Sequence, residues 1–198
     1  MSVQNGFLAL LTQGPAYGSQ LQSEFLCRAA HRRQLNPGQV YSTLDRMTDQ
    51  GLVASAGATD DGLPLYQLTE SGRLAATAWL TEGPADARPD WDEMQDQVLI
   101  AASLDGVDAL ALVDGYRAAY AERIRYLTHE ADSRALLAAN RAAELGAKAA
   151  IEWLDEVTAT LGAHPGALIQ HRSPERPRRG RRPAAEAAAT PEGQPAQG

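Results

Sequence analysis

The chain has 198 residues, 44% hydrophobic and 22% charged, a composition that suits one large or two small soluble globular domains. No apolar run reaches about 18 residues and no basic start precedes an apolar stretch, so neither a membrane span nor a secretory signal is indicated and the cytoplasm is the expected location. One cysteine, Cys27, excludes an internal disulfide framework and a multi-cysteine zinc site, and the formal net charge of −7 argues against a protein held to nucleic acid by bulk charge alone.

Phe7, Leu8, Leu10 and Leu11 predict a short apolar helix that ends at the Gly14-Pro15 break. A second helix is expected from about Tyr17 to Ala30, where Tyr17, Leu21, Phe25 and, to one side, Leu26 recur at helical spacing. Cys27 is expected to be a small buried hydrophobe on it. Arg28, Arg32 and Arg33 extend from its end, and with His31 the last two form the best local positive cluster in the first segment.

The stretch Leu35–Val53 predicts a third helix with both ends punctuated. Asn36 is suited to cap the start, Pro37 to the first helical position, and Gly51 to a left-handed stop. Val40, Leu44 and Met47 form one apolar stripe, so Gly38, Gln39, Ser42, Asp45 and Arg46 face away from it, flanked by Tyr41 and Thr43. Gln and Arg can read adenine and guanine edges, and hydroxyls suit phosphate oxygens. An ordinary solvated face has a similar composition, so the helix alone leaves both readings open.

After Gly51, Leu52-Val53 and Leu65-Tyr66-Gln67-Leu68 flank a polar tip through Gly57, Asp60, Asp61 and Gly62, the pattern of a β-hairpin. Thr69 is suited to cap a fourth helix, with Glu70 in its first turn and Leu74, Ala75, Ala78 and Trp79 as its expected buried side. Three helices, a hairpin and a fourth helix in this order make a winged helix-turn-helix over residues 1–80.

Within that frame GPAYGSQL, LNPGQVYSTLDRMTDQGLV and LYQLTESGR resemble, in order and at similar separations, the corresponding blocks of the PadR family of bacterial transcriptional regulators. The resemblance implies a homodimeric, repressor-type regulator of a palindromic operator, with the third helix in the major groove and the hairpin wing reaching the neighbouring backbone or minor groove. The DNA-contacting positions it implies are Asn36, Gln39, Tyr41, Ser42, Thr43 and Arg46, with Arg32 and Arg33 as nearby phosphate partners. One departure is the wing tip, where Thr59, Asp60, Asp61 and Gly62 stand in place of a basic residue.

Residues 81–89, with two prolines, a glycine and no periodicity, are expected to be a hinge. Residues 90–165 then read as a helical domain that dimerises and is able to hold an effector. Asp90 or Asp92 caps a helix with Met94, Val98 and Ala101 or Ala102 inside, stopped at Asp105-Gly106. Val113, Tyr116, Tyr120, Ile124 and Leu127 mark a second amphipathic segment, and Leu136, Asn140, Ala143, Ala147, Ala150, Leu154, Val157 and Leu161 step alternately by four and three, a coiled-coil seam. Dimerisation through Tyr120, Ile124, Leu127, Asn140, Ala147, Leu154, Val157 and Leu161 is the expectation; the alternative is a hairpin within one chain, closed by a loop from Thr128 to Ser133. The family resemblance also implies control by a small aromatic or planar ligand, for which Trp91, Tyr116, Tyr120 and Trp153 would supply stacking surface unless they are core.

Residues 166–198 are rich in Pro, Arg, Ala, Gly and Gln and are expected to be disordered. Arg176 to Pro183 resembles an AT-hook with one extra arginine, Arg182, or else is a generic basic tail. Charge is uneven: net −1 for residues 1–80, −9 for 81–165 and +3 for 166–198. No nucleophile-and-base motif, metal-ligand spacing or glycine-rich phosphate loop occurs, so no enzyme, metal or cofactor is expected. The remaining alternative to a DNA-binding regulator is a protein-interaction module on the same three-helix core.

Overall fold

In the computed structural model, which describes residues 2–29, 34–84, 90–127, 133–164 and 166–172, the elements run α1 (Ser2–Leu11), β1 (Ala16–Tyr17), α2 (Gly18–Arg28), α3 (Pro37–Asp49), β2 (Val53–Ala58), β3 (Pro64–Leu68), α4 (Glu70–Thr81), α5 (Trp91–Ala102), α6 (Ala109–Tyr126) and α7 (Arg134–Ala163). The chain is thus mainly α with one small antiparallel sheet, a winged helix-turn-helix followed by a helical region. Among the described residues no helix is long and apolar enough to cross a membrane.

Helix α1 is apolar on every side from Phe7 to Leu11, and such a helix belongs in a core. It packs against α2, α3, α4 and α5. Its approach to α2 is close: the Phe7 and Phe25 rings meet edge to face with centroids 5.8 Å apart, and a Cβ on Gly6 would enter the Phe25 ring. The sheet order is β1-β3-β2, with Ala16 opposite Tyr66 and Tyr17 opposite Leu65. Strand β1 has no counterpart in the sequence reading, because two residues are too few for alternation to register.

Residues 81–89 do not begin as a free hinge. Helix α4 runs to Thr81, and the Gln97 amide on α5 donates to the carbonyls of Trp79 and Glu82, at 3.1 Å for the latter, while its oxygen accepts the Tyr116 hydroxyl of α6. Burial, then the nearby Glu93 carboxylate, pushes the Tyr116 phenol well above its ordinary value, which keeps it a donor. Residues 85–89 of the expected hinge lie outside the described residues. One buried apolar cluster runs from Phe7 through α5 to Val157, so the two expected modules share a core. A charge stitches them too. Arg28, with its side chain fully buried, donates to Glu24 Oε2 (2.8 and 3.2 Å), Gln13 Oε1 (3.1 Å), the Ser103 carbonyl (2.9 Å) and Ser103 Oγ (3.0 Å).

The seam of α7 closes on α6 of the same chain. Ala147, Ala150, Leu154 and Val157 are buried against a face of α6 that carries Leu112, Val113, Tyr116 and Tyr120. Arg117 crosses the pair to Asp155 (2.8 Å) and Thr158 (2.9 Å). This corrects the dimer-seam expectation for Tyr120, Ala147, Leu154 and Val157, which are already covered; Ile124, Leu127, Asn140 and Leu161 are half-buried. A four-three stripe asks for a partner helix without specifying which chain supplies it.

Three further expectations are corrected. Leu74 is exposed, because α4 buries Gly72, Ala76 and Leu80 instead; a Cβ on Gly72 would collide with the Leu52 carbonyl, so this is the side that meets the chain after α3. Cys27 is exposed, with its Sγ donating to Gln170 Oε1 at 3.2 Å. Residues 166–172 fold back: Gln170 N donates to the Ser103 carbonyl at 3.0 Å, Leu168 joins the core, and Arg172 donates to the carbonyls of Leu10 (2.7 Å), Gly14 (3.1 Å) and Pro15 (2.8 Å). Carbonyls at a helix end lack intrahelical partners, and a guanidinium can fill several at once.

Removing Arg28 leaves the buried Ser103 acceptors without their donor and takes one ion-pair partner from the half-buried Glu24, so Arg28→Ala should cost about 3 kcal/mol in urea unfolding. A second outcome concerns Glu144, which accepts from Lys148 Nζ (2.5 Å) and Arg141 Nη1 (2.8 Å). Those hydrogen bonds hold its carboxyl at about 2, below its ordinary value. A depressed carboxylate stabilises above its unfolded value and loses that contribution as pH falls through the folded one. The difference in melting temperature between the natural chain and Glu144→Gln should therefore be constant above about pH 5 and shrink as pH approaches 2.

Candidate nucleic-acid interface

Helix α3 starts where the sequence places it: Asn36 Oδ1 accepts the Gly38 N–H at 2.7 Å, with Pro37 following. The preceding residue is pinned, since Leu35 is buried and its carbonyl accepts Gln22 Nε2 of α2 at 2.5 Å. At the other end Gly51 takes φ 67°, a conformation open to glycine and costly for most other residues. Its carbonyl accepts Thr69 Oγ1 (2.6 Å) and Ser71 Oγ (3.2 Å), and Thr69 N donates to the Leu52 carbonyl at 3.1 Å. The start of α4 therefore holds the end of α3 and, through Leu52, the root of the wing.

Val40, Leu44 and Met47 are essentially fully buried, which turns Gly38, Gln39, Ser42, Asp45 and Arg46 to solvent. Asn36 is exposed beside them as the cap. Tyr41 is 44% exposed, its ring lying over Gly18 so closely that a Cβ there would stand 2.9 Å from Tyr41 Cε1. Thr43 is the exception: it is 2% exposed and faces inward, with Oγ1 3.5 Å from Arg46 Nη2, so it steadies that side chain and has no surface for DNA. The expectation erred because Thr43 sits at the edge of the apolar stripe, where a small residue is free to turn either way. Arg32 and Arg33, with His31, lie outside the described residues.

The wing stands beside this face. Burial raises the Tyr66 phenol on β3, and next come Asp45 and Tyr41 of α3, which face it. At the tip, Thr59 N donates to the Leu63 carbonyl (2.9 Å) and Thr59 Oγ1 to Asp61 Oδ1 (2.6 Å). Asp60 and Asp61 are exposed, and no Lys or Arg occurs from Val53 to Leu68. A surface of amide, hydroxyl and one guanidinium with an acidic neighbour can make directional hydrogen bonds to base edges but gives little non-specific attraction to phosphate. Gly18, Gln22, Ser71 and Gly72 position the face without a local sequence signal, because each acts on a partner distant along the chain.

The aromatic group expected to receive an effector is only partly available. Tyr116 and Tyr120 are buried core residues, whereas Trp91 is 40% exposed and meets the half-buried Trp153 with ring centroids 6.0 Å apart. A separate hollow of about 610 Å³ opens between the end of α1, α4 and the α5–α6 turn, lined by Gln13, Thr77, Leu80, Leu104 and Val107 among others. Among the described residues no cluster of three or more His, Cys, Asp or Glu is placed to hold a metal.

Residues 7–78 match the model of the Transcriptional regulator PadR-like family. No curated protein sequence matches the chain. Among solved structures, Bacillus subtilis PadR in complex with operator DNA is similar at 20% identity and a TM-score of 0.38, over 79% of this chain and 96% of that one. The same protein in complex with p-coumaric acid gives 18% and 0.37, over 81% and 96%. The PadR-like transcriptional regulator BC1756 from Bacillus cereus gives 16% and 0.35, over 81% and 98%.

Because Asn36 supplies the cap of α3, Asn36→Ala should lower stability by about 1 kcal/mol in chemical denaturation, whereas Asn36→Asp, which caps equally well, should leave it nearly unchanged.

Proposed function

From the match of residues 7–78 to the model of the PadR-like transcriptional regulator family, we propose that this chain is a sequence-specific DNA-binding repressor that acts as a homodimer and is released by a small ligand. The observation that carries the reading is the solvent face of α3, where Gln39, Ser42 and Arg46 project while Val40, Leu44 and Met47 fix the helix from behind. A short helix with weak surrounding charge gains useful affinity by pairing with a second copy on a palindrome. Large apolar residues left exposed on α7, Leu136, Leu137 and Leu145, and Tyr126 at the end of α6 are the surface for that pairing, because the inner seam is already filled. A regulator of this kind works in the cytoplasm, where its DNA is.

For the effector, a small aromatic or hydrophobic molecule, the hollow beside Leu80 and Leu104 is a better seat than the expected aromatic set. Its walls come from the turn after α1 and from α4 on one side and the α5–α6 turn on the other, so an occupant touches both the reading module and the helical region. Trp91 and Trp153 remain as the accessible stacking edge.

Selection of bound duplexes from a random pool tests the reading. The expected product is an inverted repeat whose half-sites lie about one helical turn apart. Recovery of no enriched sequence, together with no shift above competitor DNA at low salt, would replace it with the protein-interaction reading. On the enriched site Arg46→Ala should lose about 1–3 kcal/mol of discrimination at one base pair if the guanidinium bonds a base edge in two places. Equal weakening on every sequence would assign Arg46 to phosphate.

A further inference from the structure

Two hollows open along α4 and meet at its middle. The hollow of about 610 Å³ at the α5–α6 turn and another of about 350 Å³ beside the wing are both lined by Thr12 and Thr77, so they adjoin across that pair. The second takes its far end from Gln67 and Leu68 of β3 and from Arg73. Arg73, Thr77 and Thr81 recur at four-residue spacing and therefore line up along one side of α4, forming one wall of a groove that runs about 12 Å from Arg73 to Thr81. The other wall is the turn after α1, and it is pinned from elsewhere: Gln13 Oε1 accepts Arg28 Nη2 (3.1 Å), and the Gly14 and Pro15 carbonyls accept Arg172 Nη1 (3.1 and 2.8 Å).

The chemistry of the groove changes along its length. Leu11, Leu68, Leu80 and Leu104 are buried and make an apolar floor. Thr12, Gln13, Thr77 and Thr81 are exposed above it and supply hydroxyls and an amide at the rim. Arg73 stands at the wing end. Its ion pair with Glu70, at 3.3 Å, has side chains 61% and 77% exposed, so a ligand carboxylate competes for the guanidinium at little cost. Asp105 and Asp108 stand at the other end, on either side of the turn that Gly106 makes at φ 76°. Asp108 caps α6 with one oxygen, which accepts Ala111 N at 3.0 Å, so the other is left to meet a ligand. Among the described residues that line the groove, the one cation thus lies at the opposite end from the two carboxylates.

We propose that the groove binds a short apolar peptide with free ends, its carboxylate at Arg73 and its ammonium at Asp105 and Asp108. Three extended residues reach about 10 Å, which brings their terminal charges to the two ends of the groove. Apolar side chains enter the leucine floor, while the peptide N–H and C=O groups meet the threonine hydroxyls and the Gln13 amide, the combination of an apolar lining with a few placed polar groups that holds a small ligand. A fatty acid offers nothing to the two carboxylates, and a lipophilic cation offers nothing to Arg73. The proposal names the class of molecule for the effector seat described above and rests on that reading for its regulatory meaning: an occupant that spans the groove ties the root of the wing to the α5–α6 turn.

Calorimetric titration of the full chain with trileucine, N-acetyl-trileucine and trileucine amide tests the site without DNA. Trileucine is expected to bind, and removal of either terminal charge to weaken binding about tenfold, the loss expected for one hydrogen bond to a charged group. Arg73→Gln should weaken trileucine by a similar factor and leave trileucine amide unchanged. Asp105→Asn combined with Asp108→Asn, in which asparagine keeps the α6 cap, should weaken trileucine and leave the acetyl form unchanged. All three side chains are exposed, so these variants fold. Absence of trileucine binding up to millimolar concentration overturns the proposal, as does equal binding of the free and capped peptides. Equal weakening of every peptide by Arg73→Gln would remove Arg73 from the carboxylate and overturns the assigned orientation. Because no duplex is present, failure of the regulator reading would appear in the selection from the random pool and leave this result standing.

Discussion

A guanidinium taken out of water has to be met by acceptors on all sides, and the fold of this chain is arranged around one that is. Arg28, at the end of α2, is met by Glu24 of its own helix, by Gln13 just past α1 and by Ser103 at the end of α5. None of these groups can drift without stranding a buried charge. The end of α5 is thereby fixed to the ends of α1 and α2, and α1 in turn touches α2, α3, α4 and α5. The helical region is therefore built into the frame that orients α3.

The interface gains direction from the same economy of parts. Gln22 holds the residue before the cap, Gly18 accommodates the Tyr41 ring, and Thr69 and Ser71 grip the end of α3. Each is a short-range contact, yet together they fix the helix at both ends and leave its outer face to solvent. With so few cations on that face, orientation and hydrogen-bond geometry decide what it can recognise, and attraction at a distance has to come from elsewhere in the molecule.

Much of this was legible in the residues themselves. Asn36, Thr69, Asp90 and Ser133 each cap the helix that follows through a side-chain oxygen; the first two of these caps follow directly from residue type, and Asp90 is one of the two candidates, with Asp92, that residue type offers. The stripe of Val40, Leu44 and Met47 identifies the inner face of α3, and the stepping of α7 identifies its seam. What the sequence could not carry was the identity of the partner surface. The same stepping is satisfied by α6 of one chain or by a second chain. Leu74 looks like core until Gly72 and the Leu52 carbonyl define which side of α4 is inside. Cys27 reads as buried by type, but α2 turns it toward the returning strap. Residues 166–172 look like the start of a featureless tail because their attachment depends on carbonyls at the end of α1, groups that no side-chain pattern reports.

Helix α7 has a mechanical consequence. Its 30 residues make a rod about 45 Å long, gripped by α6 through packed alanines and the Arg117 bonds to Asp155 and Thr158. A tilt of about 5° at one end of such a rod carries the other end about 4 Å, by simple leverage on that length. A smaller hollow at the α5–α6 turn, of about 180 Å³, is lined by Leu161 near the carboxyl-terminal end of the rod, while the exposed Leu136 and Leu137 lie at its opposite end. A tilt of that size leaves the first place almost unmoved and shifts the second by about 4 Å, less than the roughly 5.4 Å of one helical turn.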